Sequence, residues 1–117
     1  MDKERWTWPE SLDALEAAPE SHRLLFENDV VRVLEVSIGP DHTTPVHTHR
    51  WPAVLYLLSF GHSVRRDADG NVLVDTRDGG SLPESGSAIW IDPLPPHSLQ
   101  NVDTSEIHLV ALELKSA

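Results

Sequence analysis

His47 and His49, two residues apart in Pro45-Val46-His47-Thr48-His49-Arg50-Trp51-Pro52, are the residues whose types and spacing most directly imply chemistry. Successive side chains of a β-strand point to opposite faces, so residues i and i+2 share one. On a strand, these two imidazoles aim at the same small volume. Imidazole is the commonest metal-ligating side chain. A third candidate, His97, follows fifty residues later in Pro93-Leu94-Pro95-Pro96-His97-Ser98-Leu99-Gln100-Asn101. An HxH pair alone also fits two exposed polar residues on a strand edge, so the rest of the chain decides whether His97 can join the pair.

The elements that would position these residues read as strands. Residues 22–27, 30–38, 53–60, 63–67, 72–77, 88–91, 97–101 and 106–114 are short runs rich in apolar and β-branched residues, separated by turn residues. Pro52 and Gly61 bracket the apolar run 53–60, which favours a buried strand over a helix. The Asp69-Gly70 pair supplies a hairpin turn. Eight or nine strands with almost no helix predict an antiparallel sandwich or barrel over residues 21–117. Residues 1–20 form a separate N-terminal arm with a short helix near 12–18, ended by Pro19. Trp6 and Trp8 in that arm are expected to dock on the domain or on a second subunit.

A chain of 117 residues, 39% hydrophobic and 24% charged, fits one globular domain with a real core. With no cysteine there is no disulfide, no thiolate ligand and no cysteine nucleophile. The net charge of −10 lacks the basic surface that nucleic acid needs. No apolar run reaches membrane-spanning length, and Met1–Arg5 lead into no signal region, so a cytoplasmic protein is the expectation.

A small all-β chain with HxH before a hydrophobic strand and a later His-x-x-x-Asn resembles the cupin superfamily, in its small single-domain, RmlC-like form. Gly39, His47, His49 and Gly61 meet the first cupin motif; Gly86, His97 and Asn101 meet the second. The resemblance spans residues 22–114. It implies a jelly-roll, or double-stranded β-helix, barrel and one divalent transition metal (Fe, Zn, Ni or Mn) held by His47, His49 and His97. Three departures stand out, the first being that seven residues, not five, separate Gly39 from His47. The glutamate that usually completes the ligand set falls at Ala53 or Val54, and the Pro-x-Gly of the second motif is absent. The implied function is a metal-binding cupin acting on a small organic molecule, dioxygenase-like, with Tyr56 assisting catalysis by hydrogen bonding. The alternative is a non-catalytic ligand-binding or sensor cupin with a degenerate metal site.

The remaining candidates each carry two readings. Trp51 and Trp90 are expected to wall the substrate pocket, with core packing as the competing role. His42 is either a replacement fourth ligand or a solvated loop residue, and His22, His62 and His108 show no ligand signal. Arg50, Arg65 and Arg66 are candidates to gate an anionic substrate, although Arg65 and Arg66 also fit a solvated hairpin face. Glu35 and Glu113 lie in hydrophobic strands and face either inward as a base or outward. A homodimer is expected from exposed strand edges.

Overall fold

The computed structural model describes residues 6–79 and 81–115, so Met1–Arg5 lie outside the described residues. Nine strands are present among them: β1 (His22–Glu27), β2 (Val31–Ile38), β3 (His47–His49), β4 (Ala53–Ser59), β5 (Ser63–Asp67), β6 (Val72–Asp75), β7 (Ala88–Ile91), β8 (Leu94–Asn101) and β9 (Ile107–Leu114). They form a five-stranded sheet in the order β1-β2-β9-β4-β7 and a four-stranded sheet in the order β3-β8-β5-β6. All pairings between these strands are antiparallel. The two sheets form the jelly-roll, or double-stranded β-helix, barrel that the resemblance implies, with a short N-terminal helix.

The two central strands show why these residues form this sheet. Burial alternates along β2 and β9, so Arg32, Leu34, Val36 and Ile38 face inward, as do Ile107, Leu109, Ala111 and Glu113. Six of those eight residues are apolar and belong to the core, which Leu57 of β4 completes. Burying each such side chain contributes on the order of 1.5–3 kcal/mol. The other two are charged and sit directly opposite each other in the register, Arg32 against Glu113.

Tight backbone approaches fix the connections. A Cβ on Gly61 would stand 2.8 Å from Cβ of Asp103, whose carboxylate accepts the His62 backbone N–H at 2.8 Å. Gly61 is therefore required for that close approach. Gly70, at φ 88°, turns the β5–β6 hairpin in the left-handed region that glycine enters without strain.

The arm folds onto the barrel. A 3₁₀ turn over Glu10–Leu12 leads into a single helical turn, α1 (Ala14–Ala17), capped by the Asp13 carboxylate, which accepts the Leu15 N–H at 3.1 Å. Ala14 and Ala18 are buried, and Asp13 bridges to Thr48 in the middle of β3. Trp6 and Trp8 pack edge to face, 4.8 Å between ring centroids, and help line a surface cavity with Trp51. No helix among the described residues is long and apolar enough to cross a membrane.

Candidate metal centre

The register places the histidines. In the β3–β8 pairing His47 lies directly opposite His97, and their ring centroids are 4.4 Å apart. The centroid of His49 is 5.0 Å from that of His47 and 5.7 Å from that of His97. The structure thus brings together the three histidines that the sequence singles out. It adds a fourth. His22, at the start of β1, stands 4.8 Å from His47 and 5.2 Å from His49 by ring centroid. His22, His47 and His49 can each offer a nitrogen within 4.8 Å of the others'.

Every one of the four rings is oriented from behind. Nδ1 of His47 donates to the Pro45 carbonyl and Nδ1 of His97 to the Pro95 carbonyl, both at 2.8 Å. Nδ1 of His22 faces the Ala18 carbonyl at 3.1 Å, and Nδ1 of His49 faces the Glu113 carboxylate at 3.0 Å. With Nδ1 carrying the proton, Nε2 is the nitrogen left with a lone pair. A bond of this kind to a carbonyl or carboxylate is the usual way that a metal-ligating histidine is held in its tautomer.

The protonation states agree with this geometry. Burial, reinforced by His49 and His47, pushes the His22 pKa down to about 3. Burial likewise takes His47 down to about 4 and, with His47 beside it, His97 to about 3. These three rings are neutral at pH 7, the state that a metal requires.

Behind His49 runs a buried charge network. Glu113, fully buried, also accepts from Nε of Arg32 at 2.5 Å, and Arg32 holds Asp13 with two further bonds of 2.9 Å. Burial opposes the Arg32 charge, but the hydrogen bonds to Asp13 and Glu113 outweigh it and raise its pKa. Burial also disfavours the Asp13 carboxylate, and the bond from Arg32 overcomes it and lowers its pKa. The arm therefore reaches two of the four rings, His22 through Ala18 and His49 through Asp13, Arg32 and Glu113. Residues 6–20 are thus tied to the barrel and its histidines rather than separate from them.

Ala53, where the cupin motif carries glutamate, is buried, lines the cavity and pairs with Glu113 of β9. A carboxylate is present at this level of the barrel, but it serves His49 and Arg32.

The histidines line a cavity of about 250 Å³ between the sheets, walled largely by aliphatic side chains such as Ile38, Leu55, Ile91 and Leu109. Trp51 lines it as the sequence predicts and also stacks under Arg32, whose guanidinium carbon is 5.0 Å from the ring centroid.

Tyr56 and Trp90 do not line it, and the expectation of a catalytic Tyr56 and a pocket-lining Trp90 is corrected on placement. Both alternate onto the outer face of the five-stranded sheet, 47% and 55% exposed, because their neighbours Leu55, Ile89 and Ile91 take the inner face. Glu35 also faces outward, to Arg23 and His108. His42 is exposed, and His62 contacts Thr76. Arg66 bonds Gln100, and Arg50 lies over Trp51. Asn101 ties loops together by donating to the carbonyls of Ile38 and Ser105. His22 leaves little trace in the sequence, because its position depends on a β1–β2 register that shifts between Leu24 and Phe26.

Comparison with solved structures gives the same fold, the double-stranded β-helix barrel of RmlC-like cupins. A cupin domain from Bordetella pertussis matches with TM-score 0.65 at 21% identity over 80% of this chain and 91% of that one. A double-stranded β-helix protein from Klebsiella pneumoniae matches with TM-score 0.56 at 13% identity over 97% and 87%. The polyketide cyclase RemF from Streptomyces resistomycificus matches with TM-score 0.53 at 23% identity over 84% and 67%. No family model matches the sequence. No curated protein matches it either.

Proposed function

We propose that this cupin barrel holds one divalent transition metal on the imidazoles of His47, His49 and His97, joined by His22, and binds a small organic molecule beside it. The observation that carries this reading is the cluster itself: His22, His47 and His49 each offer a ligand atom within 4.8 Å of the others, His97 stands directly opposite His47, and the Nδ1 atom of each of the four rings is tethered from behind. An all-imidazole set suits Zn, Cu, Fe or Ni better than Mn, Mg or Ca, which prefer oxygen donors. A bound metal would supply Lewis acidity and, if iron, redox chemistry. The chain's own residues then orient the rings, keep them neutral and shield the ligand from water behind aliphatic walls.

Dioxygenase-like turnover is the enzymatic form of this reading, without help from Tyr56. A binding or sensor module is the second reading, favoured by the tying of Glu113 to both Arg32 and His49, which leaves no free carboxylate to act as acid or base. Elemental analysis of untagged wild type beside His47→Ala/His97→Ala tests the centre. About one metal per chain, lost in the double variant, is the expected result; no metal after reconstitution with iron, zinc, copper and nickel overturns it. Oxygen uptake by the loaded protein then separates enzyme from module.

We further propose that two copies pair through the outer face of the five-stranded sheet. Trp90, Val54, Leu112, Val33 and Phe26 lie in one register row across all five strands, with Tyr56 and Leu58 beside it. Phe26, Tyr56, Leu58 and Trp90 are each 42–55% exposed. A patch of this extent is of the order of several hundred Å², the scale at which monomers stop leaving apolar surface open and stable dimers begin.

A further inference from the structure

Arg65 of β5 differs from Arg23, Arg32, Arg66 and Arg77. Arg23, Arg32 and Arg77 each hold a carboxylate, and Arg66 holds Gln100. Among the described residues Arg65 has no ion pair and no side-chain hydrogen bond, and its Nε is buried without a partner. It lies between Leu99 of β8 and Val74 of β6, and all three line the central cavity. Its charge is close enough to His97 to help hold that ring neutral.

A half-buried guanidinium that lines an aliphatic cavity, with its Nε buried and unpartnered among the described residues, is an unusual state. An orphaned buried donor costs free energy, and a charged one costs more. The carboxylate that also lines the cavity, Glu113, is already met by Arg32. An anion that enters the cavity would supply the missing partner.

We propose that the cavity's ligand is a small apolar carboxylic acid whose carboxylate is received by Arg65 while its body fills the aliphatic space toward the histidines. The guanidinium fork matches a carboxylate with two parallel N–H···O bonds. The walls set the rest of the molecule. A cavity of about 150 Å³ takes benzene, so the 250 Å³ here fits an acid built on a body of one ring or a short branched chain. This inference rests on the cavity being the working site, but it needs no metal to be tested.

The experiment is calorimetric titration of metal-free protein with benzoate, phenylacetate and hexanoate, each beside its uncharged amide. The wild type is compared with Arg65→Gln, and Arg66→Gln is the neighbouring control. The expected result is that wild type and Arg66→Gln prefer at least one acid over its amide by about tenfold or more, as a charge-assisted hydrogen bond provides. Arg65→Gln loses that preference while its metal content on reconstitution equals wild type. Equal binding of every acid and its amide by wild type, or no binding of either, overturns the proposal without reference to any variant. An acid preference that survives in Arg65→Gln overturns it as well. Metal content failing in the earlier test removes the metal centre and leaves this result standing on its own.

Discussion

The two faces of the five-stranded sheet invert the usual expectation for a small β-protein. The inner face carries Arg32 and Glu113 among its aliphatic residues, both almost fully buried. The outer face carries an apolar row ending in two half-exposed aromatic rings, Phe26 and Trp90. The inner charges are tolerable because each is paired, Arg32 to two carboxylates and Glu113 to Arg32 and His49. Among the described residues nothing covers the ends of the outer apolar row, which is the ground for pairing it with a second copy. A residue's place in the strand period sets its face, whereas its fate there depends on what the fold brings opposite.

Breaking the inner network has the largest effect. Arg32→Ala leaves Glu113 and Asp13 without their counter-charge, and a cost of about 3–5 kcal/mol is expected in urea unfolding. Replacing the Arg32–Glu113 pair together, as Arg32→Met/Glu113→Leu, recovers most of that cost while removing the partner of His49 Nδ1. An unchanged Arg32→Ala midpoint would mean that the buried pair is not formed.

Acid comes next. In metal-free protein His22, His47 and His97 have folded pKa values of about 3, 4 and 3, against an ordinary 6.5. Between pH 6.5 and those values the unfolded chain takes up protons that the folded chain refuses. The stability tied to these rings is complete above pH 6.5 and falls with pH, by up to about 1.4 kcal/mol per unit for each ring. Urea midpoints at pH 7, 6 and 5 measure this, and His97→Gln should flatten the decline. A pH-independent midpoint would place the rings in water.

The outer face gives smaller effects on folding. Trp90→Glu should convert a dimer into a monomer in sedimentation velocity while changing unfolding stability by no more than about 0.5 kcal/mol, as surface substitutions do. A wild-type monomer at high concentration would refute the pairing. Tyr56→Phe is the smallest change. With its side chain on the outer face, metal content and any turnover should match wild type, and a loss of turnover would return Tyr56 to the site.

Much of this was legible before the fold. The HxH pair, the period-2 runs of β2 and β9 and the motif glycines all lie in local patterns, and they lead to a cupin barrel with His47, His49 and His97 inside. Glu113 was readable only as an alternative, since one charged residue at the end of an alternating strand fits either face. Arg65 read more simply as part of a solvated hairpin face than as a gate for an anion. The placements of Tyr56 and Trp90 were hidden for a related reason: the nearly continuous apolar runs of β4 and β7 do not show which alternate residues face out.

By itself the sequence determined the strands, the facing of the two histidines in β3 and the absence of thiolate chemistry, because a strand's period and a residue's chemistry are local properties. Only the tertiary structure decided the partners. It set His97 opposite His47, Arg32 opposite Glu113, and His22 beside His47 and His49 through a bulged edge strand and the arm's Ala18. Those juxtapositions join residues up to 81 positions apart. They depend on register and sheet packing, which the burial of the whole core selects and no single segment encodes.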